Sequence, residues 1–148
     1  MVACPETLWS DPSTAKPCWH VVYHALFFLD LYLSDSPRGF APPQPFGLSE
    51  LDRAGKMPER VYSKKELQEY LEHGRRKCMA FLAALTEEKA LQPCGFRWVG
   101  ISVGELMLYN MRHVQHHAAQ LNLILRQTTS SAPGWVFKAD SALDGKAR

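Results

Sequence analysis

Residues 105–127 read ELMLYNMRHVQHHAAQLNLILRQ, and this stretch decides the fold. Successive residues of an α-helix lie about 100° apart. On that wheel Met107, Met111, Val114, Ala118, Leu121 and Leu125 centre an apolar arc. Arg112, Gln115, Ala119, Asn122 and Arg126 lie opposite, as a solvated face requires. His113 and His117 fall at one margin of the arc, flanked by Leu106 and Ile124, while His116 points toward water. The helix is thus expected to turn two of its three histidines inward, one turn apart. Ser102 stands three residues before Glu105, a capping-box pattern that starts the helix.

Two histidines at i and i+4 on one helical face can hold one metal ion through their imidazole nitrogens. No glutamate stands beside His113, so this is not the HExxH of a metalloprotease. Imidazole suits zinc, nickel, copper or iron(II). Two ligands make a weak site, and a third must come from elsewhere. Residues 18–33, CWHVVYHALFFLDLYL, offer His20 and His24, again one turn apart on a single face. Sixteen residues without a turn signal favour a helix over a strand. Because that helix is apolar almost all round, it must be covered on several sides and be central to its bundle. The competing reading makes the histidines hydrogen-bonded core residues. Three neutral imidazoles in one core are hard to satisfy in that way, which favours the metal.

Between these helices, residues 34–62 form a long crossover interrupted by Pro37, Pro42, Pro43, Pro45 and Pro58. Phe40 and Phe46 give it apolar anchors, and a short helical turn fits near residues 48–53. Ser63 and Glu66 make a second capping box. The stripe Leu67, Tyr70, Leu71, Gly74, Cys78, Phe81, Leu82 and Leu85 marks a helix behind it. His73 and the basic run Arg75, Arg76 and Lys77 read as its solvated side. Thr86 can cap a following turn, with a second loop over residues 91–98. Residues 1–17 read as an irregular arm and residues 128–148 as a tail. Trp135 and Phe137 are expected to tuck back onto the bundle, and the last ten residues read as disordered. The 148 residues are taken as one all-α domain, with the bundle over 18–127.

Composition excludes several function classes. Basic and acidic residues number 17 and 15, with no long run of either, which is not the footprint of a nucleic-acid binder. Cys4, Cys18, Cys78 and Cys94 form no CxxC pair, and Cys18 and Cys78 read as small core residues. No signal peptide is visible, and the longest apolar run, residues 25–29, is far short of a membrane span. A cytoplasmic protein with free thiols is the expectation.

The two histidine-bearing segments, WHVVYHALFFLDLYL and ELMLYNMRHVQHHAAQLNLILRQ, resemble the DinB-like (YfiT-like) superfamily of metal-binding four-helix bundles. The resemblance spans roughly residues 17–127. Its most specific part is His113, His117, Gln120 and Leu121, preceded across a long crossover by an apolar helix with a histidine. What it implies is a divalent metal on three histidines, with open coordination positions for water or substrate. The third ligand would lie on the helix before the crossover, where His24 fits best and His20 is the reserve. Zinc or nickel is implied first, iron or manganese after them. The family's bundle begins with a further helix, whereas here a proline-broken arm stands in that place. Either the sequence is shortened there, or a second subunit covers the flank in a homodimer.

Two functions follow as expectations. The first is a metal-dependent enzyme acting on a small molecule. Three neutral ligands leave the ion's charge uncompensated, so bound water acidifies or a low-molecular-weight thiol binds as thiolate. The former gives a hydrolase and the latter a transferase. Gln120 is placed to meet a ligand or an outer-shell water, and Asp30 and Tyr23 are candidates for holding an imidazole tautomer. The alternative is a non-catalytic metal-binding or stress-response interaction bundle.

Overall fold

The computed structural model describes residues 1–13 and 16–137. The order of elements is α1 (Glu6–Trp9), α2 (Cys18–Tyr32), α3 (Lys64–Ala84), α4 (Glu87–Leu91) and α5 (Val103–Thr129). A single 3-10 turn, Ser49–Leu51, interrupts the crossover. The fold is all-α, and no strand occurs among the described residues. No described helix is long and apolar enough to cross a membrane.

Helix α2 is central because nearly every face of it is apolar. Pro17 starts it, its carbonyl accepting from the amides of His20 and Val21. Trp19, Tyr23, Phe27 and Leu31 are buried along its length, and α3 and α5 pack on either side. Both capping boxes form: Ser63 with Glu66 starts α3, and Ser102 with Glu105 starts α5. Thr86 caps α4 by accepting from the Lys89 amide. Gly74 lets α3 approach α2, since a Cβ there would lie 3.1 Å from a Leu29 methyl.

The crossover packs down as its phenylalanines require. The Phe46 ring stacks on Tyr70 and on Tyr23, with centroids 4.4 Å and 5.8 Å away. Phe40 meets Phe27 edge-on. Tyr23 donates its hydroxyl proton to the Gly47 carbonyl at 2.8 Å.

Four expectations are corrected. The arm is not wholly irregular: α1 is one helical turn, and Trp9 is buried with its indole N–H on the Tyr62 carbonyl at 3.0 Å. The buried face of α5 is Val103, Leu106, Asn110 and Leu125, whereas Met111 and Ala118 are exposed. That face lies roughly 50° nearer the histidines than the apolar arc does. Packing against α2 sets the face, and the Met111 flank has no described element to cover it. Trp135 and Phe137 stand exposed rather than tucked back. Finally, Lys77 does not belong to the solvated face. Its ammonium reaches the buried Asp30 carboxylate at 2.5 Å, and His73 turns toward the same carboxylate at 3.4 Å. The last ten residues, read as disordered, lie outside the described residues.

Candidate metal centre

Helix α2 supplies His24, and α5 supplies His113 and His117 one turn apart. Their ring nitrogens converge. His113 Nε2 lies 3.3 Å from His24 Nε2 and 3.1 Å from His117 Nε2. One donor atom from each of the three residues falls within 4.8 Å of the others. All three rings are half-buried rather than sunk in the interior, so solvent reaches the cluster. Phe28 walls one side, its ring 4.8 Å from His24 and 5.4 Å from His113. Beside His113 an open hollow is lined by Tyr109, Arg112, Gln115 and His116.

The far side of the rings fixes their protons. His24 Nδ1 lies 2.5 Å from Glu50 Oε2, and a carboxylate only accepts, so this nitrogen carries the proton. His117 Nδ1 donates to the Gln120 amide oxygen at 2.8 Å. The Gln120 amide N–H in turn donates to His116 Nε2 at 3.0 Å. In the neutral rings of His24 and His117, then, Nε2 is a bare lone pair aimed at His113. His113 can offer at most one proton to two lone pairs. Its other nitrogen, Nδ1, is buried with no partner. Three acceptors facing one another with too few protons are poorly satisfied by themselves and well satisfied by a cation.

Spacing and charge agree with that. Bonds of about 2.0–2.1 Å in a tetrahedral site separate the ligand nitrogens by about 3.3 Å. Burial, reinforced by the neighbouring imidazoles of His117 and His24, pushes His113 down to about 4. Burial also lowers His117, against the opposing hydrogen bond to Gln120. Both rings therefore stay neutral near pH 7, the form that ligates. For Glu50, burial works against the charged form, but the hydrogen bonds from His20 and His24 outweigh it and hold the carboxyl at about 2.

Of the candidates read from the sequence, His24, His113 and His117 come together. His20 does not: its Nε2 donates to Glu50 Oε1 at 2.8 Å. Exposed His116 stands outside the cluster, as expected. Asp30 and Tyr23 hold no imidazole of the cluster: Asp30 pairs with Lys77 and Tyr70, and Tyr23 with the crossover backbone. Gln120 is engaged by His117 and His116. Glu50 was not singled out in the sequence. Its segment reads as a short turn, and no periodicity links a crossover residue to α2.

These features define a class: a helical-bundle protein with a half-open three-histidine cluster able to hold a divalent ion. A family model described as the DinB superfamily matches residues 5–121. The chain belongs to the DinB superfamily. No curated protein and no solved structure matches it.

Proposed function

We propose that this DinB-superfamily chain binds one divalent transition metal, zinc or nickel before iron or manganese, through His24, His113 and His117. We further propose that it uses the ion on a small-molecule substrate, in thiol-dependent transfer or in hydrolysis. The observation that carries the reading is the convergence of three Nε2 atoms, two of them on rings braced from behind by Glu50 and Gln120. Bound there, the ion supplies Lewis acidity.

The chain's own residues narrow the chemistry. Glu50 has both oxygens engaged by histidines, so it is no free base. Cys18 is pushed up to about 11, by burial first and the adjacent Cys4 thiol second, and burial also raises Cys78. Thiols held protonated in this way are poor nucleophiles. The reading takes its nucleophile from solvent or from a co-substrate such as a low-molecular-weight thiol. The hollow beside His113 presents the Arg112 guanidinium and the His116 imidazole, which suits a substrate bearing an anionic group. Four free cysteines fit a reducing compartment such as the cytoplasm.

The test is elemental mass spectrometry on untagged protein. Near one ion per chain is expected, lost in His24→Ala and kept in His20→Ala and His116→Ala. No metal in the parent, even after each ion is added back, would sink the reading. A screen of thiols against electrophiles follows a positive result.

A second reading, a non-catalytic interaction bundle or homodimer, is favoured by apolar exposure. Leu108 and Met111 on α5, Met79 and Leu82 on α3, and Trp135, Val136 and Phe137 in the tail are all exposed. Chelation separates the readings. A purely structural ion carries folding energy, so its removal unfolds the bundle. A catalytic ion leaves a folded protein behind.

A further inference from the structure

The crossover delivers one carboxylate into the bundle, and it lands between two histidines of α2. Glu50 is nearly covered, its side chain 7% exposed. Its two oxygens part company: Oε2 takes the Nδ1 proton of His24 at 2.5 Å, and Oε1 takes the Nε2 proton of His20 at 2.8 Å. The two rings are thereby set in opposite tautomers. His24 is left with its lone pair on Nε2, facing His113. His20 is left with its lone pair on Nδ1, buried and without a partner.

We propose that Glu50 is a positioning residue of the metal centre and that His20 is its anchor, so that metal affinity depends on the crossover as well as on the three ligands. This rests on the metal-binding reading above. A carboxylate behind a ligating imidazole fixes the ring's tautomer and orientation and raises its basicity. Here that carboxylate comes from a different part of the chain than any ligand, on a 3-10 turn of three residues. A buried carboxylate is costly unless its oxygens are satisfied, and His20 satisfies the one that His24 leaves over.

The competing account makes Glu50 a staple that merely docks the loop. The loop does not need one. Phe46 stacks on Tyr70 and Tyr23 four residues earlier, and the Tyr23 hydroxyl holds the Gly47 carbonyl. The turn is thus fixed before Glu50 is reached, and losing the carboxylate should leave the fold in place.

The experiment uses the full untagged chain, stripped with a chelator. Zinc affinity is measured by competition with a chromophoric chelator, and ¹⁵N-histidine NMR reads the tautomers of the metal-free protein. Glu50→Ala is expected to bind zinc about 10- to 100-fold more weakly and to lose the fixed Nδ1–H form of His24. Glu50→Gln keeps an acceptor oxygen for His24 but loses the charge and the acceptor that faces His20, so it should restore the tautomer and part of the affinity. His20→Phe should weaken binding in the same direction by less, too little to empty the site at one zinc per chain. Zinc affinities of Glu50→Ala and Glu50→Gln within about twofold of the parent would overturn the proposal. So would an Nε2–H form of His24 in the metal-free parent. A parent that binds no zinc overturns the metal reading itself, and the proposal falls with it. That outcome is distinct, because it is seen in the unmutated chain.

Discussion

Helix α2 carries two polar clusters, one at His24 and one six residues on at Asp30, and they are built on opposite plans. Asp30 is 1% exposed, and its charge is closed off locally. Lys77 Nζ lies 2.5 Å from Oδ1, and the Tyr70 hydroxyl donates to Oδ2 at 3.1 Å. The Lys77 ammonium spends its remaining protons on the Asp30 carbonyl and the Ser34 hydroxyl, both at 2.8 Å. The cluster at His24 also contains a carboxylate, but neither lysine nor arginine is paired with it among the described residues. Two of its ring nitrogens, His20 Nδ1 and His113 Nδ1, are buried without partners. A closed, charge-matched cluster holds a fold together, whereas an open one short of positive charge is what a site for a cation looks like.

The sharpest way to break this contrast is to remove the cation from the closed cluster. Lys77→Met keeps an apolar stem of similar reach but takes the ammonium from over the Phe40 ring and strands the Asp30 charge. A buried carboxylate without its partner costs about 3–5 kcal/mol. The urea midpoint should fall accordingly, and Asp30→Asn in the same background should recover much of the loss. An unchanged midpoint in Lys77→Met would mean that the two clusters do not differ in kind.

The open cluster should behave in the reverse sense. In metal-free protein, His113→Leu removes a ring whose Nδ1 has no partner and is expected to raise stability by about 1 kcal/mol. The same change should abolish tight metal binding, so that added zinc stabilises the parent and not the variant. A metal-free variant less stable than the parent would show that the imidazoles satisfy one another after all.

The acid limb of the metal-free protein sharpens the same point. His113 sits at about 4 in the fold against an ordinary 6.5, so between these values the unfolded chain binds more protons. Stability therefore rises with pH across that window and is lost as pH falls from 6.5 through 4. Glu50 and Glu66, each held at about 2 against an ordinary 4.5, add a second loss below pH 4.5. Urea midpoints measured against pH should show both steps, with the upper one flattened in His113→Leu.

How far the sequence foretold the two clusters follows from what periodicity can see. The bundle was legible because α3 and α5 repeat with the helical period and each begins with a capping box, while α2 runs sixteen residues without a turn signal. The pair His113 and His117 was legible because four residues make one turn. The choice of His24 over His20 came from the family resemblance and not from periodicity, because the two share a face one turn apart. Glu50 and Lys77 escaped for a common reason: each serves a residue dozens of positions away, and a wheel records only neighbours on its own helix. The wheel also misjudged α5. It ranks residues by apolarity, yet Asn110 is buried while Met111 is exposed. Asn110 turns to α2, where its amide donates to the Leu29 carbonyl, and Met111 turns to an uncovered flank.

The smallest expected effect concerns His73, the third neighbour of Asp30. Its Nε2 stands 3.4 Å from Oδ1, long for a hydrogen bond, and its side chain is 36% exposed. Lys77 and Tyr70 already take the two oxygens at shorter range. His73→Ala should therefore move the urea midpoint by the equivalent of at most about 0.5–1 kcal/mol, within the range of a solvent-exposed pair. It should leave metal content untouched. A loss as large as that of Lys77→Met would make the Asp30 cluster a shared network rather than a closed pair. The line between the two clusters would then have to be drawn by metal binding alone.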